Sequence, residues 1–168
     1  MKNLSKEKLV LIKKLIGLGS CVLCLIFLLI PFIKYTSTST LASGGSITYD
    51  DGVSLYNFLF NKSYKVFDGN LGILRDAFSY SYVAGWIGFI LSLCSLVLFV
   101  LGVFMKKGFL SKIGGYVLGT SIVVLATLIF DREASGNTVR YLNVVTWGYG
   151  LLVVTGGLGV LATVTLKD

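Results

Sequence analysis

The side chains that most often carry chemistry in proteins are scarce in this chain of 168 residues. It has no histidine, so the commonest general base and the commonest metal ligand are both missing. A Cys-x-x-Cys pair can serve redox or metal chemistry, but Cys21 and Cys24 lie in a long apolar run, as does Cys94. We therefore expect the cysteines to be packing residues and predict no metal site, no cofactor and no disulfide.

The acidic cluster Asp50-Asp51-Gly52 superficially matches the start of a calcium loop. The later ligand positions hold apolar or aromatic residues, so we expect Asp50 or Asp51 to cap a short helix that runs to Phe60. No nucleophile in this region has a plausible base beside it. The sequence thus predicts no catalytic residue and a protein that is not an enzyme.

Composition places the chain in the membrane class. It is 55% hydrophobic with a mean hydropathy of +0.84, and only 14% of its residues are charged, against about 25% in a soluble domain. Four segments carry no charge and are long enough to span a bilayer: 15–33, 82–105, 113–130 and 141–166. We predict an all-α membrane protein, a single domain built as a bundle of four transmembrane helices.

The uncharged segments argue against a coupled transporter or a pump, because such proteins usually place ionisable groups inside their spans.

The first segment could instead be a cleaved signal or a lipoprotein leader, since Leu18-Gly19-Ser20-Cys21 loosely matches a lipobox. Its apolar run is longer than a signal peptide needs. We expect it to stay as a membrane helix that ends near Pro31.

Charge placement predicts the orientation. The N-terminus, the second loop and the C-terminus together hold nine basic and two acidic residues, whereas the other side holds six of each. Because basic residues concentrate on the cytoplasmic side, we expect a multi-pass plasma-membrane protein with both termini in the cytoplasm. The net charge of +7 then reports orientation and indicates no nucleic-acid partner.

Residues 35–80 form the long loop between the first two spans and would lie outside the cell. Tyr35–Leu41 and Ile47–Tyr49 are rich in β-branched or aromatic residues and flank the glycine-containing turn Ala42–Ser46. This pattern predicts a small β-hairpin followed by the short helix. Aromatic residues in the loop are too many for a core of its own, so they form a candidate partner surface: Tyr56, Phe58, Phe60, Tyr64 and Phe67. Alternatively, they pack on the helix ends and lipid headgroups.

Small residues recur at helical spacing within three of the predicted spans, where they would let helix backbones approach closely. They are Ala84, Gly88 and Ser92, then Gly115 and Gly119, and finally Thr155, Gly159 and Thr163. We expect them to hold the chain's own helices together. The alternative is that one such face docks a partner.

The order of a helix, a long outer loop with strands, a basic inner turn and a short second outer loop resembles the claudin-like topology. Claudins carry a tryptophan and a cysteine pair in the first outer loop, whereas residues 35–80 contain neither, so their barrier function is not carried over. Pro31-Phe32, a strand pair and the segment Gly52–Phe60 also resemble small four-helix membrane proteins of Gram-positive bacteria. That resemblance implies a bacterial plasma-membrane protein of uncharacterised role.

Together these features predict a protein that works by association, as an accessory or assembly subunit of a cell-envelope complex. Its partners would be the lipid bilayer and either another membrane protein or a second copy of the chain. One alternative is a channel or a small transporter component. Another is an immunity protein that protects the membrane from a toxin.

Overall fold

A computed structural model describes residues 2–61, 63, 65–66, 69–70, 78–127, 131–144 and 146–166. The elements are α1 (Lys2–Phe27), β1 (Pro31–Thr40), β2 (Ser46–Ser54), α2 (Leu55–Phe60), β3 (Lys65–Val66), β4 (Gly69–Asn70), α3 (Ser79–Phe104), α4 (Gly108–Ala126), β5 (Asp131–Ser135), β6 (Thr138–Val144) and α5 (Thr146–Val164). The chain divides into two compact units. The helical unit comprises Met1–Ile26, Ile87–Val123 and Gly150–Asp168, and the sheet unit comprises Phe27–Trp86 and Val124–Tyr149.

Three helices of the described chain are long and apolar enough to cross a membrane. They are Lys6–Phe27 within α1, all of α3, and all of α4. The apolar part of α5, Gly148–Val164, is shorter. The protein is therefore mainly helical with membrane-capable helices, but the sheet makes it a mixed structure rather than the all-α protein that we predicted.

The first predicted span ends too late in the sequence. Helix α1 stops at Phe27, and Pro31–Ile33, which we placed in the span 15–33, begin β1 instead. Proline cannot continue a helix but is tolerated as the first residue of a strand. Helix α4 is also displaced from the predicted 113–130, since it runs from Gly108 to Ala126 and includes Lys112, whose long side chain can reach beyond an apolar region.

A four-stranded antiparallel sheet has the order β2-β1-β6-β5. The predicted hairpin is confirmed as β1 and β2, with Thr38 opposite Thr48 and Thr40 opposite Ser46. On its other side β1 pairs with β6, with Tyr35 opposite Leu142 and Ser39 opposite Thr138. Strand β1 thus lies between two strands, one from each loop.

Strands β5 and β6 were missed in the sequence, where residues 141–166 were predicted to be one helix. Tyr141–Val144 belong to β6, and α5 begins at Thr146. A sequence signal for this hairpin is the dipeptide Gly136-Asn137. It forms the two-residue loop between Ser135 and Thr138, which pair with each other. Gly136 has φ +56°, and a positive φ at the first loop position is typical of a type II′ hairpin turn.

The predicted Asp50 or Asp51 helix cap is wrong, since both residues lie within β2. Ser54 is the cap of α2, and its hydroxyl accepts a hydrogen bond of 3.1 Å from the Asn57 amide. A serine hydroxyl at this position satisfies one of the unpaired amides of the first turn. The helix predicted to start at Leu71 falls largely on 71–77, outside the described residues.

Within the helical unit, helices approach closely at glycines. A Cβ added at Gly159 of α5 would lie 2.7 Å from Ser20 Cβ of α1. One added at Gly17 of α1 would lie 2.8 Å from Phe99 Cε1 of α3. Gly17 and Ser20 were not among the predicted packing residues, although Gly17-x-x-x-Cys21 and Ser20-x-x-x-Cys24 have the small-residue spacing of the other helices.

Several predicted small residues lie at these contacts. A Cβ at Gly115 of α4 would clash with Thr163 Oγ1 of α5, and one at Gly119 would lie 3.5 Å from Val160 Cγ2. The Thr163 hydroxyl donates to Gly159 O at 2.8 Å. Ala84 is buried in the sheet unit, and Thr155 is half-buried in α5.

Hydroxyl and thiol groups add polar contacts between the helices of this unit. The Ser92 and Ser121 hydroxyls, on α3 and α4, are 2.7 Å apart, and Ser121 also donates to Gly88 O at 2.7 Å. Ser95 donates to Gly114 O at 2.7 Å. Cys21 is buried and its Sγ lies 3.6 Å from Ser92 O. Polar groups of this kind act between helices in lipid as additional attachment points.

Replacing Gly159 with alanine should lower the free energy of unfolding by about 1–3 kcal/mol, the usual cost of overpacking. The added Cβ would meet Ser20 Cβ, an atom that is bonded directly to the α1 backbone and cannot move aside. The measurement is chemical unfolding of the full chain in detergent micelles.

Gly157→Ala is the matched control, since nothing lies within 4 Å of the added Cβ two positions earlier in the same helix. Alanine has the higher helix propensity, so this variant should match or exceed the parent by up to about 1 kcal/mol. Equal stabilities for the two variants would contradict the close approach of α1 and α5.

Candidate functional site

Helix α2 is a short amphipathic helix fixed at both ends. Its N-cap Ser54 precedes Leu55, and the Asn61 amide donates to Asn57 O at 3.0 Å at its C-terminal end. The Tyr56 amide also donates to Leu28 O at 3.2 Å. These bonds hold the helix against the chain that leads into β1.

The inward face of α2 packs on the first turns of α3. Leu55, Phe58 and Leu59 are buried. A Cβ added at Gly85 would lie 3.2 Å from both Leu55 Cδ1 and Leu59 Cδ2. The Phe58 ring meets the Tyr82 ring edge to face, with 6.0 Å between centroids. The absence of a side chain at Gly85 therefore lets α2 lie against α3.

The outward face of α2 carries exposed aromatic residues. Tyr56 is 51% and Phe60 45% exposed, and their ring centroids are 5.3 Å apart. Phe60 also contacts Trp86 at 4.9 Å in an edge-to-face arrangement. We call Tyr56, Phe60 and Trp86 the aromatic row.

The predicted partner surface is therefore only partly exposed. Tyr56 and Phe60 lie on the exposed face, whereas Phe58 is fully buried and cannot form part of a surface. The reason is the helical period, which turns a residue two positions along to the opposite side. Tyr64 and Phe67 lie outside the described residues.

One face of the sheet has buried apolar residues at one end and partly exposed apolar residues at the hairpin end, with the polar residues Asp51, Ser37 and Arg140 between them. Ile33, Tyr35 and Leu142 are buried on adjacent strands. Side chains two residues apart in a strand share a face, so Ile47, Tyr49 and Asp51 lie on the same face as the buried Val53, with Ile47 and Tyr49 nearer the hairpin turn. Both are partly exposed, at 38% and 36%.

The turn beyond these residues has a defined geometry. The Leu41 amide donates to Gly45 O at 2.7 Å, and the Thr40 amide donates to Asn137 O of the second hairpin at 2.9 Å. Gly44 has φ +85°, a conformation that glycine adopts without steric cost. Leu41 is 44% exposed. We call Leu41, Ile47 and Tyr49 the tip surface, which the sequence reasoning did not single out.

The opposite face of the hairpin is polar. Thr36 donates to Asp50 Oδ1 at 2.7 Å, and Lys34 Nζ lies 2.8 Å from Asp50 Oδ2. These bonds, that of Lys34 first, hold the pKa of the Asp50 carboxyl below its ordinary value. Their contribution to stability is thus present at neutral pH and lost as the pH falls through that lowered pKa. Because the pair is about half exposed, the contribution is small.

Among the described residues, no three His, Cys, Asp or Glu side chains come together in a way that could hold a metal ion. No protein-family model matches the chain, and no curated protein matches its sequence.

The two faces of α2 predict different costs of truncation. Phe58→Ala should lower the free energy of unfolding by about 3–5 kcal/mol, because a buried ring contact is replaced by a cavity. Tyr56→Ala, two residues earlier and half exposed, should change it by less than about 1 kcal/mol. Thermal and chemical unfolding in detergent would measure both, and similar losses would contradict the assigned faces.

Proposed function

We propose that this chain is a four-span plasma-membrane protein that acts by association, as an accessory or assembly subunit of a cell-envelope complex. Its sheet unit would lie on the outer side and bind the partner, which is another membrane protein or a second copy of the chain. The tip surface of Leu41, Ile47 and Tyr49 carries this proposal.

A fourth span is supported by the length of α5. Its 19 residues, Thr146–Val164, reach about 28 Å at 1.5 Å per residue, close to the roughly 30 Å hydrocarbon core. Orientation is supported by lysines that gather at one end of the helical unit. Lys14 Nζ donates to Gly102 O near the end of α3, and Lys13 Nζ donates to Thr165 Oγ1 just beyond α5, at 2.9 Å. Basic residues favour the cytoplasmic side.

The tip surface supports binding because it is apolar, exposed and already ordered. Its three apolar side chains are 36–44% exposed at the end of the hairpin, so partner binding would bury apolar area that is exposed in the chain alone. Backbone bonds at Leu41 and Thr40 fix the turn before any partner arrives. A preorganised surface loses less conformational entropy on binding.

A channel or transporter component is the second candidate, because polar side chains face each other across helices of the helical unit. Ser92, Ser95 and Ser121 are buried, and each hydroxyl takes part in a bond of 2.7 Å to a neighbouring helix. Hydroxyls satisfied in this way hold helices together in lipid. These bonded hydroxyls therefore support helix association in the helical unit more than they support ion conduction.

Labelling with a membrane-impermeant maleimide tests the orientation. A cysteine introduced at Ser43, an exposed residue of the hairpin turn, should react in intact cells. One introduced at Lys107, between α3 and α4, should react only after the membrane is permeabilised. The parent chain provides the background, since Cys21 and Cys24 are buried and Cys94 is exposed within the membrane-capable helix α3. The reverse labelling pattern would overturn the proposed topology.

Photo-crosslinking tests the tip surface. A photoreactive phenylalanine analogue at Tyr49 should form a light-dependent protein adduct in native membranes, because that side chain lies on the exposed apolar face. The same analogue at Thr48, which alternates to the polar face and bonds to Thr38, is the matched control. Mass spectrometry of the adduct would identify a different protein or a second copy of the chain.

With the analogue kept at position 49, the Leu41→Ser/Ile47→Ser pair should reduce recovery of the crosslinked partner at least tenfold, since each lost apolar contact is worth about 1–2 kcal/mol. Thr38→Ala/Thr48→Ala should leave recovery unchanged. Adducts with lipid alone at position 49, or equal adducts at positions 48 and 49, would contradict association through the tip surface.

A further inference from the structure

The helical unit contains a cavity of about 790 Å³ whose polar lining is mostly basic. Four lysines and one glutamate line it, together with apolar side chains that include Phe109. The charged residues are Lys6, Glu7, Lys14, Lys106 and Lys107. We call it the lysine cavity. Its size lies in the range of small-molecule sites, and its net positive lining favours an anion.

Three of the four lysines have side chains without a bond to any described residue. Within the part of the chain that the structure describes, the side chains of Lys6, Lys106 and Lys107 form no hydrogen bond or ion pair. Lys14 differs, since it is only 4% exposed and its Nζ donates to Gly102 O at 3.0 Å. A buried, hydrogen-bonded ammonium group therefore lies beside three exposed ones, and the four positive charges suit recognition of a phosphate.

The backbone at the same place has two notable features, of which the start of α4 adds positive potential. Helix α4 begins at Gly108, which lines the cavity, and the first amides of a helix have no partner within it and carry partial positive charge. Lys106, just before α4, has φ +56°. A residue with a side chain pays a steric cost in that conformation, and glycine is the usual choice after a helix. The chain has a lysine there instead.

We propose that the lysine cavity binds the phosphate headgroup of an anionic phospholipid. The ammonium groups and the start of α4 would hold the phosphate, and the apolar lining around Phe109, which is 62% exposed, would contact the acyl chains. The cavity lies where α1, the end of α3 and the start of α4 meet, near the ends of two membrane-capable helices. Basic pockets at such ends match anionic headgroups in charge and depth.

Native mass spectrometry of the full chain in detergent, with defined lipids added, tests this proposal. Phosphatidylglycerol should be retained at least tenfold more strongly than phosphatidylcholine. K106Q/K107Q should reduce phosphatidylglycerol retention at least tenfold, because each charge near the headgroup contributes to binding. K8Q/K112Q removes two lysines that do not line the cavity and should change retention by less than about twofold.

Further variants separate charge from folding. K6Q/K107Q removes two cavity charges without altering the turn residue Lys106 and should weaken retention as K106Q/K107Q does. K106R/K107R keeps the charges and should retain the lipid. Unfolding midpoints confirm that each variant is folded. Equal losses for K8Q/K112Q and the cavity variants would overturn the site in favour of general surface attraction.

Inorganic phosphate distinguishes a lipid site from a site for a soluble anion. At millimolar concentration it should displace phosphatidylglycerol only weakly, because it lacks the acyl chains that contact the apolar lining. Complete displacement, or phosphate binding that is as strong as lipid binding, would overturn the lipid proposal.

Discussion

Close approach of helix backbones at small residues is the constraint on which the helical unit depends. Lipid tails are as apolar as leucine, so burial of leucine alone does not drive helices together in a bilayer. Contact has to come from van der Waals packing at short range, and Gly17, Gly115 and Gly159 permit it because a Cβ at any of them would collide with a neighbouring helix. The serine and cysteine contacts follow from the same proximity, since Ser92 and Ser121 could not bond across a wider gap. Packing of this kind requires no charge inside the spans.

The sheet unit depends on strand β1, which is the strand that joins its two hairpins. It pairs with β2 on one side and β6 on the other, so a segment near residue 35 and one near residue 140 become a single sheet. Two hairpins that would be marginal alone support each other in this way. The arrangement also separates two faces. One face carries Lys34, Thr36 and Asp50, and the other carries the buried Ile33 and Tyr35 and, nearer the turn, the partly exposed Ile47 and Tyr49.

The sequence predicts what depends on local composition. Uncharged length indicates the membrane-capable helices, and the glycines at the turn indicate the first hairpin. Pairing of β1 with β6 joins residues about a hundred positions apart, which no local pattern encodes. Residues 131–140 were therefore predicted as a loop and 141–144 as the start of a helix. Phe58 was misjudged for a similar reason, because an aromatic count does not reveal which face of α2 meets Gly85. Asp50 and Asp51 have the composition of a cap, but the strand pairing of β2 takes precedence over that local preference.

The way in which the lysines are held distinguishes a role in membrane orientation from a role in binding an anion. The positive-inside rule depends on how many basic residues flank the spans and not on how each side chain is held. An exposed lysine anywhere near a helix end would serve orientation equally well, and several do so here. Burial of Lys14 against a helix end costs desolvation, and the left-handed backbone at Lys106 costs steric energy. The orientation of the protein in the membrane requires neither the burial of Lys14 nor the left-handed backbone at Lys106. Since both residues line one cavity, an anion bound between them accounts for the two costs together.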